Sequence, residues 1–141
     1  MSKGNTFEND ILKLIFNATA IADLAQDDGT SPATTLTVAL HTGDPGEAGD
    51  QTTSEISYTG YARIAVARTT GGWTVTGASV SPVADITFGQ MTAGAGGTVT
   101  HASVGSGVAN KLLYSGTVTP NIVVANGVTP KITTGSTITE D

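Results

Sequence analysis

The side chains in this sequence that could do chemistry are two histidines, four carboxylates crowded between Asp44 and Glu55, and a generous supply of serines. His41 and His101 lie far apart, each inside an alternating strand-like pattern, and no H-x-x-x-H spacing occurs. Two imidazoles are an incomplete ligand set for a structural or catalytic zinc site, so they read as hydrogen-bonded strand histidines. Asp44, Glu47, Asp50 and Glu55 are dense enough in oxygen ligands to suit Ca²⁺, but the EF-hand spacing is missing and the stretch reads as a solvated acidic loop. Gly71-Gly72, Gly94–Gly97 and Gly105–Gly107 lack the lysine and the following helix of a phosphate loop, which makes them turns. No serine occupies a G-x-S-x-G elbow; Gly105-Ser106-Gly107 comes nearest and misses the spacing. A catalyst needs a base, an orienting group and a pocket at one point, and nothing here nominates them. The sequence therefore assigns no catalytic residue, no metal ligand and no cofactor.

The totals narrow the field further. The chain has 141 residues, enough for one domain and one core. Hydrophobic residues make up 38% and aromatics 5%, so the core must be built from Val, Ile, Leu and Ala. Charged residues are 13%, about half of the usual ~25%, which is the opposite of a disordered composition. The net charge is −6 and the six basic residues (Lys3, Lys13, Arg63, Arg68, Lys111, Lys131) are scattered, which argues against nucleic acid as a partner. The absence of cysteine excludes disulfides, thiol nucleophiles and thiolate metal sites. No secretory leader is expected in the first residues, and no apolar run approaches the ~20 residues of a membrane span, so synthesis in the cytoplasm with no membrane partner is the expectation.

The elements that must position these groups can be read in order. Residues 1–5 form a polar arm, and Asn5 with Glu8 has the arrangement of a capping box. A helix is expected over residues 6–19, with Phe7, Ile11, Leu14, Ile15, Ala18 and Ala22 as its apolar stripe, widened by Leu12 and Phe16. The run from Asp27 to Pro32 stops it. Strand and turn follow over 35–139. Thr35–His41 alternates as a half-buried strand, and Thr42–Tyr58 is a long acidic loop, a kind that is commonly functional or mobile. Tyr58–Gly77 reads as a strand, a two-residue Gly71-Gly72 turn and a second strand carrying the only tryptophan, with Ala62, Ile64, Val66, Trp73 and Val75 sharing one face. In that register Arg68 and Trp73 sit diagonally across the pair, where a cation–π contact is possible, although Trp73 filling the core with Arg68 at the rim is the plainer reading. Trp73 as an interface anchor is the sharper one.

Further strands are expected at Ser79–Ala84 and Asp85–Phe88, broken by Pro82, which marks either a strand edge or a sheet-to-sheet bend, then at Thr98–Val104, Lys111–Val118 and Asn121–Ala125. Thr92–Gly97 is a Gly/Ala tip. Asn126-Gly127 signals a type I′ hairpin into Val128–Thr133, and Ser136–Thr139 adds a last strand. The tripeptides ending in Pro82, Pro120 and Pro130 read as strand-end punctuation. Eight or nine short strands with turns between them indicate a single domain, mainly β, folded as an antiparallel β-sandwich or jelly roll with one N-terminal α-helix; a barrel is the alternative.

Four segments together resemble a family of small structural proteins of tailed bacteriophages: LKLIFNATAIA, ALHTGDPGEAGDQTT, YTGYARIAVARTTGGWTVTG and LLYSGTVTPNIVVANGVTP with its ending STITED. The likeness covers nearly the whole chain and is specific only as a combination. It implies a capsid cement (decoration) protein: a jelly-roll virion protein on the capsid surface, dimeric, bracing the major capsid protein without catalysing anything. Related sequences are also described as tail or tail-fibre proteins, which is the alternative, and a Ca²⁺- or carbohydrate-binding β-sandwich is a third. For a bracing role the candidate interface residues are Phe7 and Ile11 on the helix, Asp44, Glu47, Asp50 and Glu55 in the loop, Arg68 and Trp73, and Ile138 near the terminus.

Overall fold

The computed structural model describes residues 5–20, 33–107 and 110–140, apart from the side chains of residues 5–7. The order is α1 (Asn5–Asn17), β1 (Thr35–His41), β2 (Ile64–Ala67), β3 (Trp73–Thr76), β4 (Ser79–Pro82), β5 (Ile86–Thr87), β6 (Gly97–Gly105), β7 (Leu112–Val124), β8 (Lys131–Ile132) and β9 (Ile138–Thr139). The fold is of the expected class, mainly β with antiparallel sheets and one described helix. The polar arm, the Asn5 cap, the side chain of Phe7, Ala22 and the Asp27–Pro32 breaker lie outside the described residues. The chain, read from its sequence as one domain, divides into two compact units built from interleaved stretches. A helix unit comprises Met1–Thr35, Ala67–Asp85 and Thr133–Asp141; a sheet unit comprises Leu36–Val66 and Ile86–Ile132.

In the helix unit, α1 packs on β3 and β4, within a sheet of order β3-β4-β9. The deepest helix positions are Glu8, Leu12 and Phe16, an i, i+4, i+8 line, while Ile11, Leu14 and Ile15 are only half-buried. The residues that merely widened the expected stripe are thus its floor. The Tyr58–Gly77 hairpin does not form. β2 belongs to the sheet of the other unit, and β3 turns instead into β4, with Trp73 opposite Pro82 and Thr76 opposite Ser79. The two-residue turn is Gly77-Ala78, where Gly77 takes the positive φ of 61° that such turns require at their first position. Gly71 and Gly72 have no positive φ. Their segment is a tight reversal in which the Thr69 carbonyl accepts the N–H groups of Gly72 (2.9 Å) and Trp73 (3.0 Å). The alternation within each strand is as expected, with Ile64 and Val66 more covered than Ala65 and Ala67, but alternation does not say which strand is the neighbour.

The sheet unit is built on a four-stranded sheet of order β2-β1-β6-β7 and a small β5-β8 pair. β1 is central and buried on both faces from Val38 to His41, rather than half-buried. Leu36, Val38, Leu40, Val99, Val104 and Val124 supply the aliphatic core, and Tyr61 stacks on Phe88 at 6.0 Å. Of the two readings of Pro82, the passage between sheets is the one observed: β4, an inner strand, ends at Pro82 and the chain goes on to β5, a strand of a different sheet. The two strands expected between Lys111 and Ala125 are one, the 13-residue β7. Pro120 lies inside it rather than at its end, tolerated because β7 is an edge strand and because its ladder slips between the Val99–Ile122 and His101–Thr117 pairs. Asn126-Gly127 makes a turn, with Val128 N–H donating to Ala125 O at 2.9 Å, but no hairpin, since β8 pairs with β5.

Candidate functional site

The acidic loop is not a free solvated segment; it is pinned to the sheet through a buried polar cluster. The pin begins in local sequence. Asp50 Oδ1 accepts from the Thr52 N–H (2.8 Å) and hydroxyl (2.6 Å), and Asp50 N–H donates to Thr53 Oγ1 (3.2 Å), a reciprocal arrangement that closes one turn. Those Thr52 contacts hold the Asp50 carboxyl below the usual carboxylate range. The turn projects Gln51 inward, where its side chain is fully buried. Its Oε1 accepts from Thr37 Oγ1 (2.8 Å), and its Nε2 donates to Thr37 O (3.0 Å) and Ser103 Oγ (3.3 Å). Gly105, on β6 beneath it, leaves the space: a Cβ there would collide with the Gln51 amide carbon and come within 2.7 Å of the Lys111 carbonyl.

His41 is the second half of the pin. Its Nδ1 lies 2.9 Å from Thr53 O in the loop and its Nε2 lies 2.7 Å from Ser103 Oγ on β6. A carbonyl can only accept, so Nδ1 carries the proton and Nε2 accepts the serine hydroxyl. Burial pushes the His41 pKa below its ordinary 6.5 and keeps the ring neutral. A serine hydroxyl 2.7 Å from a neutral, oriented imidazole has the geometry of an activated nucleophile. Ser103 is only 2% exposed and His41 0%, however, so no acyl or phosphoryl group reaches them. The pair is structural. His101 stands opposite His41 in the β1–β6 register, bringing together two histidines that the sequence separates. With both His41 nitrogens hydrogen-bonded and His101 Nδ1 2.9 Å from Thr100 Oγ1, metal binding at His41 would require breaking this network. No group of three metal-ligating side chains occurs among the described residues.

A clamp of charge closes the C-terminal end of the loop. Arg63 holds Glu55 with two bonds, Nε to Oε1 and Nη2 to Oε2, both 2.7 Å, and its Nη1 donates to Asn110 Oδ1 at 2.8 Å. The Tyr61 hydroxyl donates to Glu55 Oε1 (2.8 Å) while accepting from Leu40 N–H (3.1 Å). Burial raises the Tyr61 pKa, so this hydroxyl stays protonated.

The candidate interface residues fall in both units. Asp44 and Glu47 are exposed, Asp44 accepting from Gly46 N–H at 2.9 Å, whereas Asp50 and Glu55 serve the loop's own fold. Ile11 is half-buried on α1, and Ile138 is half-buried on β9 opposite Val80. Trp73 is 2% exposed and meets Phe16 edge-on at 4.8 Å, the core-filling alternative. Arg68 does not face Trp73 across a strand pair. Its guanidinium donates to the carbonyls of Ile15 (2.5 Å), Leu14 (2.6 Å) and Ala33 (3.2 Å), capping the C-terminal end of a helix whose last turn has no basic residue of its own. Sequence reasoning missed Gln51, Ser103 and the capping role of Arg68. The D-x-T-T turn was a usable signal for the first; nothing local marks the others.

Against this geometry, a family of proteins described as podophage GP4 fiber I protein gp80 matches residues 2–140. The chain belongs to this family. It is accordingly a structural protein of the phage virion, and the family's description as a fibre protein favours the tail-fibre alternative over the capsid cement reading. No curated protein matches the chain. Among the described residues of this fibre-family chain, no helix is long and apolar enough to cross a membrane.

Proposed function

We propose that the chain is a non-enzymatic component of a podophage fibre, acting by assembling with neighbouring virion proteins. The family match over residues 2–140 carries this reading. The site geometry supports it: the Ser103–His41 pair, which has catalytic geometry, is sealed inside the sheet, and the conspicuous loop is pinned to the sheet by Gln51. Fibres commonly assemble with three-fold or ring symmetry, whereas a protein bracing the shell across neighbouring subunits suits a two-fold dimer. Electron microscopy of intact particles, with sedimentation of the purified chain, tests the proposal. Density at fibre positions and a three-fold or higher assembly are expected. Recovery solely on emptied heads, as a dimer held by the major capsid protein, would return the shell-bracing reading.

A further inference from the structure

Asn126-Gly127 is the chain's only Asn-Gly pair, and both residues are exposed. This dipeptide carries its own reaction: with no side chain on Gly127 to obstruct it, the Gly127 backbone nitrogen can attack the side-chain carbonyl carbon of Asn126. The nitrogen gives its proton to solvent base, an N–Cγ bond forms, and the Cγ–Nδ2 bond breaks as ammonia leaves. Water then opens the cyclic imide at either carbonyl, giving an aspartyl or an isoaspartyl residue. In the folded chain that nitrogen is engaged. Gly127 N–H donates to the carbonyl of buried Met91 (2.8 Å), Met91 N–H donates to Val128 O (2.9 Å), and Gln90 Nε2 donates to Gly127 O (2.9 Å). A further bond, Phe88 N–H to Pro130 O (2.9 Å), joins this clamp to the β5–β8 pair. The bond from Val128 N–H to Ala125 O, with a φ of 86° at Gly127 and no positive φ at Asn126, makes the turn type II. Ring closure needs the Gly127 nitrogen to eclipse Asn126 Cβ, and the ψ of roughly +120° at this turn position holds it away.

We infer that Asn126 is a site of spontaneous modification, converted to aspartyl and isoaspartyl forms through an imide with Gly127, and that the Gly127–Met91 hydrogen bond sets its rate. The turn must leave the Met91 carbonyl before the nitrogen can attack, so only the locally opened fraction of the chain reacts. The product does not fit the place it came from. An isoaspartyl linkage adds a methylene to the main chain, which pushes residues 127–130 out of step with residues 88–91, and either product adds a carboxylate to a chain already at −6. A virion protein is not replaced after assembly, and this bond keeps its least hindered asparagine intact. The inference is independent of where in the virion the chain sits.

The test incubates the full chain, folded and urea-unfolded, in mildly alkaline buffer beside a synthetic peptide of residues 121–131. Mass spectrometry of the tryptic fragment Leu112–Lys131 reads the amide-to-acid conversion, and hydrogen exchange of the Gly127 amide reads the opening. Conversion is expected at Asn126 and not at Asn121, where the branched Ile122 hinders ring closure. The folded chain should react at least about tenfold more slowly than the peptide, and the slowing should be no smaller than the Gly127 protection factor. Gln90→Ala removes the exposed bond to Gly127 O, and should lower protection and slowing together while leaving the thermal midpoint within a few degrees. Asn126→Gln should abolish the conversion, because its imide ring would be larger. Equal rates in the folded chain and the peptide, conversion at Asn121 first, no conversion at Asn126 in urea, or a Gln90→Ala chain with faster exchange and an unchanged rate would each overturn the inference.

Discussion

The helix unit and the sheet unit each fasten a segment distant in sequence, and they do so by opposite means. Around Trp73 the fastening is apolar: Phe16 and Leu12 are fully buried in the same unit, and the polar contribution from Arg68 is confined to the helix end. Around Gln51 it is polar: an amide, an imidazole and a hydroxyl, buried and mutually satisfied, hold a loop that offers little apolar surface. Apolar burial is non-directional and tolerates changes of pH. A buried polar network specifies one geometry and fails when a single partner is lost or charged.

The contrast can be broken most forcefully at the tryptophan. Trp73→Ala should cost about 3–5 kcal/mol in guanidinium unfolding, the usual range for emptying a buried aromatic site. A loss below about 1 kcal/mol would mean that this core is not what holds the helix unit. Next comes Gln51→Ala, which strands Thr37 and Ser103 and should cost about 2–3 kcal/mol, with faster amide exchange across Gln51–Glu55. Unchanged exchange there would show that the loop does not depend on the pin.

Arg68→Met removes the cap while keeping most of the aliphatic stem, and a loss of about 1.5–2 kcal/mol is expected, with α1 amides exchanging faster from its C-terminal end. Arg68→Lys should recover little of it, because an ammonium cannot span separate carbonyls as the guanidinium fork does.

The pH response sharpens the comparison at smaller amplitude. His41 is held neutral with its pKa below 6.5, so once the pH drops beneath 6.5 the unfolded chain binds a proton that the folded chain refuses. Stability should therefore fall as the pH descends from 6.5 towards the lowered folded value and level off beneath it. The groups acting on His41 are Glu55, which opposes this shift, and Arg63 and His101, which reinforce it. In His41→Asn the difference in stability between pH 7 and pH 5 should shrink; an unaltered difference would assign the effect to other groups. The smallest effect is expected at Glu55→Gln, within about 1 kcal/mol, because its pair with Arg63 is reached by solvent.

Much of the fold was legible because its signals are local. Helical spacing located α1, alternation located β1 to its ends, and Pro82 marked the passage from one sheet to another. The misreadings share a cause. Gly71-Gly72 and Asn126-Gly127 are correct as turns and wrong as hairpins, since a turn only reverses the chain and the neighbour is chosen by what each strand can bury. The site was less legible. Gln51 is one polar residue in a polar loop, and Ser103 one small residue in a strand. Their roles exist only where β1, β6 and the loop converge.

The sequence alone determined the β-rich class, the helix, the lack of thiol chemistry and the acidic character of the loop, because composition and short-range periodicity act before any long-range contact forms. Only the tertiary structure decided that β2 and β3 part company, that Arg68 caps a helix 53 residues away at Ile15, and that His41 and His101 face each other. Those outcomes depend on which buried groups can satisfy one another, and satisfaction is a property of pairs brought together by the fold.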